Sequence, residues 1–298
     1  MNAADDSILQ CPVCREVLLR SKSGCQCVNK HGFDAAHQGY VNFLLAHKKN
    51  SKEPGDSREM IESRRRFLDR GYYDRVSDGI NEAVGAPGRP ERGRAFSILD
   101  AGCGEGFYLK RLKEFLARGP GAPCAVDYYG VDISKFAVRH ATQRDKAISW
   151  FVASIVDLPF AIGSLDCVLN VFSLADFAEF SRILRASGKL VIASPGPRHL
   201  NGLRELIYPV AREHAGSTRA EQARGLFSLA DERRVHYQLE LKSNQEIMDL
   251  LAMTPYFWNI DLNTKSKVKA LDRLALDVDV LISVFKKPRD KAPEGRVS

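Results

Sequence analysis

The stretch Phe96-Ser-Ile-Leu-Asp-Ala-Gly-Cys-Gly-Glu-Gly-Phe107 decides the fold of this chain. An apolar run ends at Asp100, three glycines alternate at Gly102, Gly104 and Gly106, and leucines at helical spacing follow. This order predicts a buried strand, a tight turn and a helix, with glycine where the backbone bends sharply and a ligand comes close. The spacing is G-x-G-x-G rather than the G-x-G-x-x-G of a dinucleotide fingerprint, which disfavours a nicotinamide enzyme.

The same turn indicates which ligand it suits. It contains an acid, Glu105, where a pyrophosphate site would have none. A ligand with an adenosine and a zwitterionic amino-acid tail but no phosphates fits this pattern, and S-adenosylmethionine is that ligand. We therefore take Asp100, Gly102, Gly104 and Glu105 as candidate cofactor-binding residues. A purely structural strand-to-helix turn is the alternative.

Composition sets the limits for the rest of the chain. With 298 residues and 44% hydrophobic content, it can form one large α/β core and a small appendage. No apolar run approaches the roughly 20 residues needed to cross a bilayer, and acids near the N-terminus argue against an export signal. We therefore expect a cytoplasmic protein with no membrane partner. The net charge of +7 permits a polyanionic partner without requiring one.

Four of the seven cysteines lie in the first 27 residues, which favours a metal site over a disulfide framework. Cys11, Cys14, Cys27 and His31 follow a C-x2-C-x12-C-x3-H spacing, which supplies four ligands for one tetrahedral zinc ion. A closed site of this kind is structural. Cys25 is an alternative to Cys27, and a scatter of unliganded cysteines is the alternative to a metal site.

A basic, polar segment follows the cysteine module. Residues 47–56 include Pro54-Gly55 and three lysines, Lys48, Lys49 and Lys52, and indicate either a solvated linker or a segment that follows a phosphate backbone. Residues 57–73 predict a helix capped by Ser57, on which Arg64–Arg66 point to solvent or RNA. A second helix is expected to end near Val84.

The remainder predicts an α/β fold with a doubly wound, mostly parallel, seven-stranded Rossmann-like sheet, because strands and helices alternate. Beyond the first strand, the expected strands lie at residues 125–132, 149–153, 164–173, 189–194, 235–241 and 276–285. The expected helices lie at 135–144, 176–184, from 203 and at 244–253.

Three further residues are candidates for the site at the carboxyl edge of this sheet. Asp132 ends the second strand, where an acid can accept hydrogen bonds from ribose hydroxyls or cap the next helix. Asp157 follows the third strand and is either near an adenine amino group or in a surface turn. His199 lies in the loop Pro195–Leu200, where a structural and a functional role are equally open.

The whole chain resembles the bacterial 23S rRNA (guanine-N1)-methyltransferases. The stretches that carry the resemblance are Cys11-Pro-Val-Cys14, Cys27-x3-His31-Gly-Phe-Asp34, Gln38-Gly-Tyr-Val-Asn42, Pro54-Gly-Asp-Ser57, Arg64-Arg65, Phe67-Leu-Asp69, Gly71-x-Tyr73, Leu99-Asp-x-Gly-Cys-Gly-Glu-Gly106, Asp132-x-Ser134-Lys135 and Pro195-Gly-Pro-Arg-His-Leu200. They span roughly residues 10 to 285.

The resemblance implies zinc on the four ligands named above and donor contacts from Tyr73, Gly104, Glu105 and His199. It also implies a division into a zinc-binding RNA-recognition module (1–45), a basic linker with helices (46–94) and an S-adenosylmethionine-dependent methyltransferase domain (95–298). One departure concerns the loop after the fourth strand, where Ser173-Leu174 stands in place of the Ala-Pro pair frequent in such proteins. That loop is expected to border the target base.

The functional hypothesis is methylation of a guanine N1 in a hairpin of 23S rRNA, with S-adenosylmethionine and one structural zinc as cofactors. A carboxylate, His199 or water could accept the N1 proton, so no catalytic residue is assigned. Tyr40, Phe172 and Phe177 are candidates for stacking on the base, or core residues. Two alternatives are a methyltransferase acting on a small molecule or carrier-bound acid, and a non-catalytic RNA-binding protein. A second copy of the chain is a further candidate partner.

Overall fold

The computed structural model describes residues 8–45, 54–88, 94–119, 125–208 and 219–288. Its strands are β1 (Leu18–Ser21), β2 (Gly24–Cys27), β3 (Gly32–Asp34), β4 (Val41–Asn42), β5 (Phe96–Ala101), β6 (Val126–Asp132), β7 (Ser149–Val152), β8 (Leu165–Val171), β9 (Leu184–Pro195), β10 (Ser228–Leu241) and β11 (Leu274–Lys286). Its helices are α1 (Arg58–Asp69), α2 (Asp74–Val84), α3 (Phe107–Arg118), α4 (Lys135–Arg144), α5 (Phe177–Ile183), α6 (Asn201–Ile207), α7 (Arg219–Gln222), α8 (Asn244–Ala252), α9 (Tyr256–Asn259) and α10 (Leu262–Lys269).

The central sheet has the strand order β10-β11-β9-β8-β5-β6-β7-β4. Neighbouring strands are parallel along the part of this order that runs from β9 to β4. Strand β11 is antiparallel to both of its neighbours, β9 and β10. The expected doubly wound α/β sheet is therefore confirmed. Within the described residues the sheet has eight strands rather than seven, because the short strand β4 from the N-terminal segment pairs with β7.

Buried side chains pack on both faces of this sheet because successive residues of its strands, which point to opposite faces, are apolar. On β5, Ile98 belongs to one buried cluster and Leu99 to the other. The helices α1, α2, α3 and α8 contribute to the first cluster. The second cluster contains Phe151 and Phe160 of the sheet domain together with Leu9 and Leu18 of the N-terminal segment. The N-terminal segment thus covers part of one face of the sheet.

Two helix starts follow the capping rules that the sequence suggests. The Ser57 side chain accepts a hydrogen bond from the backbone N–H of Met60 and begins α1. The Ser134 hydroxyl accepts one from the N–H of Ala137 and begins α4. Side-chain caps of this kind satisfy N–H groups that have no partner within a helix.

The C-terminal half departs from the expected boundaries. Strand β10 runs over 14 residues rather than seven, paired along its length with β11. Strand β9 begins at Leu184, directly after α5. The residues of β10 before Val235 are all exposed, and the first residues of β9 are largely polar or small, so neither extension contains the apolar run from which a strand is predicted. No helix in the described part of the chain is long and apolar enough to cross a membrane.

Candidate active site and metal centre

Four side chains of the N-terminal segment form a compact cluster. The ligand atoms of Cys11, Cys14, Cys27 and His31 all lie within 4.8 Å of one another. The Sγ atoms of Cys14 and Cys27 are 3.7 Å apart, and His31 Nδ1 is 3.4 Å from Cys27 Sγ and 3.6 Å from Cys11 Sγ. Three thiols and one imidazole at these separations fit the tetrahedral sulfur and nitrogen shell of a structural zinc.

The surroundings of two of the thiols, Cys14 and Cys11, shift their pKa values in opposite directions. The pKa of Cys14 is lowered to about 6, first by a hydrogen bond from the Asn29 side chain and then by the backbone N–H of Glu16. Burial raises the pKa of Cys11. A thiolate is the form that binds metal. Cys14 therefore loses its proton more readily than an ordinary thiol, whereas Cys11 loses its proton less readily.

Cys25 does not belong to this cluster. It is 4% exposed and packs in the apolar contact between the N-terminal segment and the sheet. Phe43, just after β4, extends the same contact, because its ring lies 5.2 Å from that of Phe33 and 5.3 Å from that of Phe151. An ion pair between Arg15 and Asp157 adds a polar contact at its edge. Asp157 therefore lies in a surface turn against the N-terminal segment rather than beside an adenine.

A cavity of about 630 Å³ opens at the carboxyl ends of β5, β6, β8 and β9. This is the position at which doubly wound sheets bind ligands, and the volume lies within the usual range for small-molecule sites. Six of the seven candidate cofactor residues line the cavity: Tyr73, Gly102, Gly104, Glu105, Asp132 and His199. Asp100 is the exception.

The glycine turn is shaped by close contacts and by left-handed backbone. Gly102 has φ +86°, and a Cβ there would lie 2.1 Å from Ser173 Oγ. Gly104 has φ +54° and faces the cavity, where the nearest side-chain atom to such a Cβ would belong to Arg64, at 3.5 Å. The first glycine thus lets the loop after β8 pack on the turn, and the second leaves room for a ligand.

Asp132 organises the floor of the cavity. Its Oδ2 accepts a hydrogen bond from the N–H of Gly104 at 2.9 Å, and its Oδ1 accepts one from the N–H of Ser134 at 2.8 Å. Burial raises the pKa of this carboxyl, and the two N–H groups oppose that rise. The helix cap that we considered for Asp132 is made by Ser134 instead. Asp132 ties the glycine turn to the end of β6, and each oxygen keeps a lone pair for a ligand.

The two other acids of the turn face inward. Glu105 is 1% exposed and forms an ion pair with Arg144, which opposes the rise in pKa that burial causes. Asp100 is also 1% exposed, and neither of its oxygens has a hydrogen-bond partner among the described residues. Burial, with the charges of Asp132 and Glu105, raises the pKa of Asp100 to about 8. Asp100 is therefore buried at the end of β5 and is not among the residues that line the cavity.

Tyr73 and His199 form a directional pair on the opposite wall. The backbone N–H of Asp279 donates to His199 Nδ1 at 3.2 Å, so the ring hydrogen of His199 is on Nε2. His199 Nε2 lies 3.3 Å from the hydroxyl of Tyr73 and is therefore the donor in that contact. The carboxylate of Asp279 holds the same loop, because it accepts from the N–H of Arg198 at 2.8 Å.

The three candidate stacking residues have different environments. Tyr40 and Phe177 are 2% and 8% exposed and belong to the core. Phe172 is 37% exposed, lines the cavity and has a φ of +51°, which is rare for a bulky residue. Its ring stacks on that of His199 with centroids 5.6 Å apart. The amide of Asn170 donates to the Leu174 carbonyl and fixes the loop that presents Phe172.

The sequence predicted that Arg64–Arg66 of α1 point to solvent or RNA. In the structure, Arg64 and Arg66 instead contact acidic residues of the protein. Arg64 lines the cavity and forms an ion pair with Asp56 at 2.6 Å. Arg66 binds the buried carboxylate of Asp249 at 2.7 Å. Sequence patterns give no sign of these pairs, because their partners lie on other elements. The predicted phosphate contacts of Lys48, Lys49 and Lys52 fall outside the described residues.

One wall of the cavity comes from the C-terminal part of the chain, far in sequence from the glycine turn. The sequence did not predict this wall. Arg219 and residues 253–256 line it. No motif marks these positions, since their place depends on how α7 and α8 pack.

Comparisons with known proteins agree with this geometry. A family model described as "RlmA, N-terminal", a zinc ribbon, matches residues 9–52, and one described as "Methyltransferase domain" matches residues 99–192. YxjB of Bacillus subtilis (strain 168), assigned by name to the 23S rRNA (guanine-N(1)-)-methyltransferases, is 32% identical over 286 residues, covering 94% of this chain and 98% of that protein. The 23S rRNA (guanine(748)-N(1))-methyltransferase of Streptomyces fradiae is 32% identical over 259 residues, covering 85% of this chain and 86% of that protein.

The two family models and the geometry agree on two cofactors. A methyltransferase domain with this cavity uses S-adenosylmethionine, and a zinc ribbon with this ligand cluster holds one zinc ion. The resemblance noted in the sequence is thereby confirmed: the chain belongs to the family of 23S rRNA (guanine-N1)-methyltransferases.

Proposed function

We propose that this protein transfers a methyl group from S-adenosylmethionine to N1 of a guanine in a hairpin of 23S rRNA. The observation that carries the proposal is that one chain joins a four-ligand zinc ribbon to a cavity built for the methyl donor. Relatives aligned over 85% to 94% of the chain are named for this reaction. They favour RNA over the alternative of a small molecule or a carrier-bound acid.

The lining residues suggest how the donor is held. Asp132 has free lone pairs beside the glycine turn for ribose hydroxyls, and Gly104 lets the donor approach the backbone. Because His199 donates to Tyr73, the hydroxyl hydrogen of Tyr73 is available to an acceptor such as the carboxylate of the donor's amino-acid tail. When bound, S-adenosylmethionine supplies an activated methyl group on a positively charged sulfur.

The remaining part of the cavity suits a flat base. Phe172 offers a half-exposed ring, and the loop Ser173-Leu174 borders the same space. A guanine extruded from an RNA loop can stack on such a ring. The protein's main task is then to align N1 with the methyl carbon, which converts a bimolecular encounter into an oriented one.

The N1 proton must leave guanine before or during methyl transfer. His199 Nε2 already carries a hydrogen in the arrangement described above, so it is not prepared to accept this proton. Water or a carboxylate that faces the cavity is the better candidate. Asp132 is assigned to the ribose hydroxyls, and its two oxygens also accept backbone N–H groups, so it is not offered as this acceptor.

We assign three parts to this function: residues 1–45 recognise RNA through the zinc ribbon, residues 46–94 form a basic linker with two helices, and residues 95–298 form the methyltransferase domain. Cys11, Cys14, Cys27 and His31 hold the zinc. The rRNA substrate and the reduced ligand thiols support action in the cytoplasm.

The test is to incubate the protein with labelled S-adenosylmethionine and 23S rRNA that lacks the modification. Methylation of guanine N1 blocks Watson–Crick pairing, so we expect a reverse-transcription stop at one guanine of a hairpin and labelled N1-methylguanosine after digestion. Label in a different nucleoside, or transfer that does not depend on RNA, would contradict the proposal.

A further inference from the structure

A second, smaller pocket lies outside the donor cavity, between α1 and α4. Its volume is about 120 Å³, and it is lined by Arg58, Phe136, Arg139, His140 and Gln143. This space exceeds the roughly 15 Å³ required for one water molecule and suits a phosphate group. We call these five residues, together with the adjacent Arg65, the α1–α4 pocket.

The polar groups of this pocket are almost all hydrogen-bond donors. Arg65 Nη1 donates to His140 Nδ1 at 3.1 Å and to Gln143 Oε1 at 3.4 Å. Since an arginine can only donate, His140 Nδ1 is an acceptor and the hydrogen of its ring is on Nε2. The pocket therefore presents guanidinium groups and an imidazole N–H, while its one amide oxygen already has a donor.

The charges are only partly balanced. Arg58 pairs with Glu62 at 2.9 Å, and Arg65 lies 3.6 Å from Asp69, which also pairs with Arg144. Arg139 is exposed and has no acidic partner among the described residues. An excess of positive charge and of donors is the chemistry that binds a singly charged phosphodiester.

The pKa of His140 depends on these neighbouring groups. Burial lowers the pKa of His140, and the charges of Arg65, Arg139 and Arg58 lower it further. The charge of Glu62 opposes them. The three arginines disfavour a positive charge on His140, and an anion bound between them would reduce this repulsion.

The position of the pocket relates it to the proposed substrate. Helix α1 contributes Met60 and Arg64 to the donor cavity and Arg58 to the α1–α4 pocket. The two sites therefore lie on different sides of the same helix, and an α-helix with its side chains is about 10–12 Å wide. A strand whose guanine enters the cavity has its neighbouring phosphates within this range.

We infer that the α1–α4 pocket binds a backbone phosphodiester of the RNA next to the methylated guanine. The inference rests on the proposed function, because it assumes an RNA substrate. Phe136, which is half-buried in the pocket, would then lie against the sugar. The contact reads the backbone and carries no base information, so it positions the strand.

The test compares Arg139→Ala with Arg273→Ala in the full-length protein. Arg273 is an exposed arginine between α10 and β11, with 78% of its side chain accessible. Binding of a labelled 23S rRNA hairpin is measured over a series of salt concentrations. For Arg139→Ala we expect about a 5- to 10-fold loss of affinity and a log–log salt slope reduced by about 0.7 to 0.9, the value for one lost phosphate contact.

Donor binding, measured with S-adenosylhomocysteine, should be unchanged in both variants, which shows that the fold is intact. Equal salt slopes for the wild-type protein, Arg139→Ala and Arg273→Ala would overturn the inference. If instead none of the three proteins bound the hairpin, the proposed function itself would fail, so the two failures are distinguishable.

Nuclear magnetic resonance of His140 supplies a second readout. Addition of the hairpin should raise the pH at which His140 titrates, because a phosphodiester offsets the neighbouring arginines. A shift produced by inorganic phosphate and not by the hairpin would overturn the assignment to the RNA backbone.

Discussion

The zinc ribbon and the donor cavity differ in how the chain builds them. All four metal ligands come from residues 11–31, and their own spacing brings them together. The cavity collects residues from position 55 to position 256, and only the complete sheet with its helices assembles them. The ribbon therefore depends on an ion, whereas the cavity depends on the buried core of the domain.

This difference implies that a substitution can abolish zinc binding without abolishing donor binding, and the reverse. The ribbon and the sheet domain meet through apolar contacts and the short strand β4, and no cavity residue belongs to the metal cluster.

Cys14→Ser should abolish zinc binding and, with it, most of the affinity for RNA. Structural zinc supplies on the order of 10 kcal/mol to the folding of such modules, which a serine ligand cannot preserve. Zinc content is measured by atomic absorption and RNA affinity by anisotropy. Affinity for S-adenosylhomocysteine should stay within about threefold of the wild type, a change below 1 kcal/mol.

Cys25→Ala is the matched control for that experiment. It removes a buried thiol of the same ribbon that lies outside the ligand cluster. Full zinc content is expected for this variant. Loss of zinc in Cys25→Ala, or its retention in Cys14→Ser, would refute the ligand assignment.

Asp132→Ala should weaken donor binding about 100-fold and leave the zinc in place. The change removes a carboxylate that accepts two backbone N–H groups and offers lone pairs to the ribose, and each charged hydrogen bond contributes about 1.5–3 kcal/mol. Calorimetry with S-adenosylhomocysteine measures the effect. Asp157→Ala, an acid at the same edge of the sheet that lies outside the cavity, should bind the donor normally. An equal loss of RNA and donor affinity in Asp132→Ala would count against the ribose role.

His199→Ala should weaken donor binding about tenfold, the effect of one lost hydrogen bond of about 1.4 kcal/mol. His199→Gln keeps a donor near Tyr73 but cannot take up a proton. We therefore expect Gln to restore most of the binding and to leave the pH–rate profile unchanged. If the Gln variant bound the donor well but lost methyl transfer, His199 would be the proton acceptor after all.

Asp100→Asn should change only how stability depends on pH. The carboxyl has a pKa of about 8 in the folded protein, against an ordinary value of 3.8. Between these values the folded state holds a proton that the unfolded state has lost, so the free energy of unfolding falls as pH rises. The slope is at most about 1.4 kcal/mol per pH unit. Urea denaturation from pH 5 to pH 8 should show a smaller decline for Asp100→Asn than for the wild type, and parallel declines would contradict the shift.

The same difference between the two regions explains what the sequence could reveal. Cys11, Cys14, Cys27 and His31 are close in the chain, so their spacing already describes a ligand shell. The glycine turn and Asp132 were also accessible, because strand ends in a doubly wound sheet meet at one edge. In contrast, the pairing of Arg66 with Asp249 and the wall at residues 253–256 join elements distant in sequence, and no local pattern contains that information.

In the proposed complex, one RNA contacts the zinc ribbon while its guanine occupies the cavity. A structure of the protein with S-adenosylhomocysteine and a 23S rRNA hairpin tests this most directly. We expect the base to be extruded against Phe172, with N1 about 3–3.5 Å from the position of the transferred methyl carbon, and the hairpin backbone to lie against residues of the ribbon. RNA bound on a face remote from the ribbon, or a guanine whose N1 faces away from the sulfur, would contradict the account.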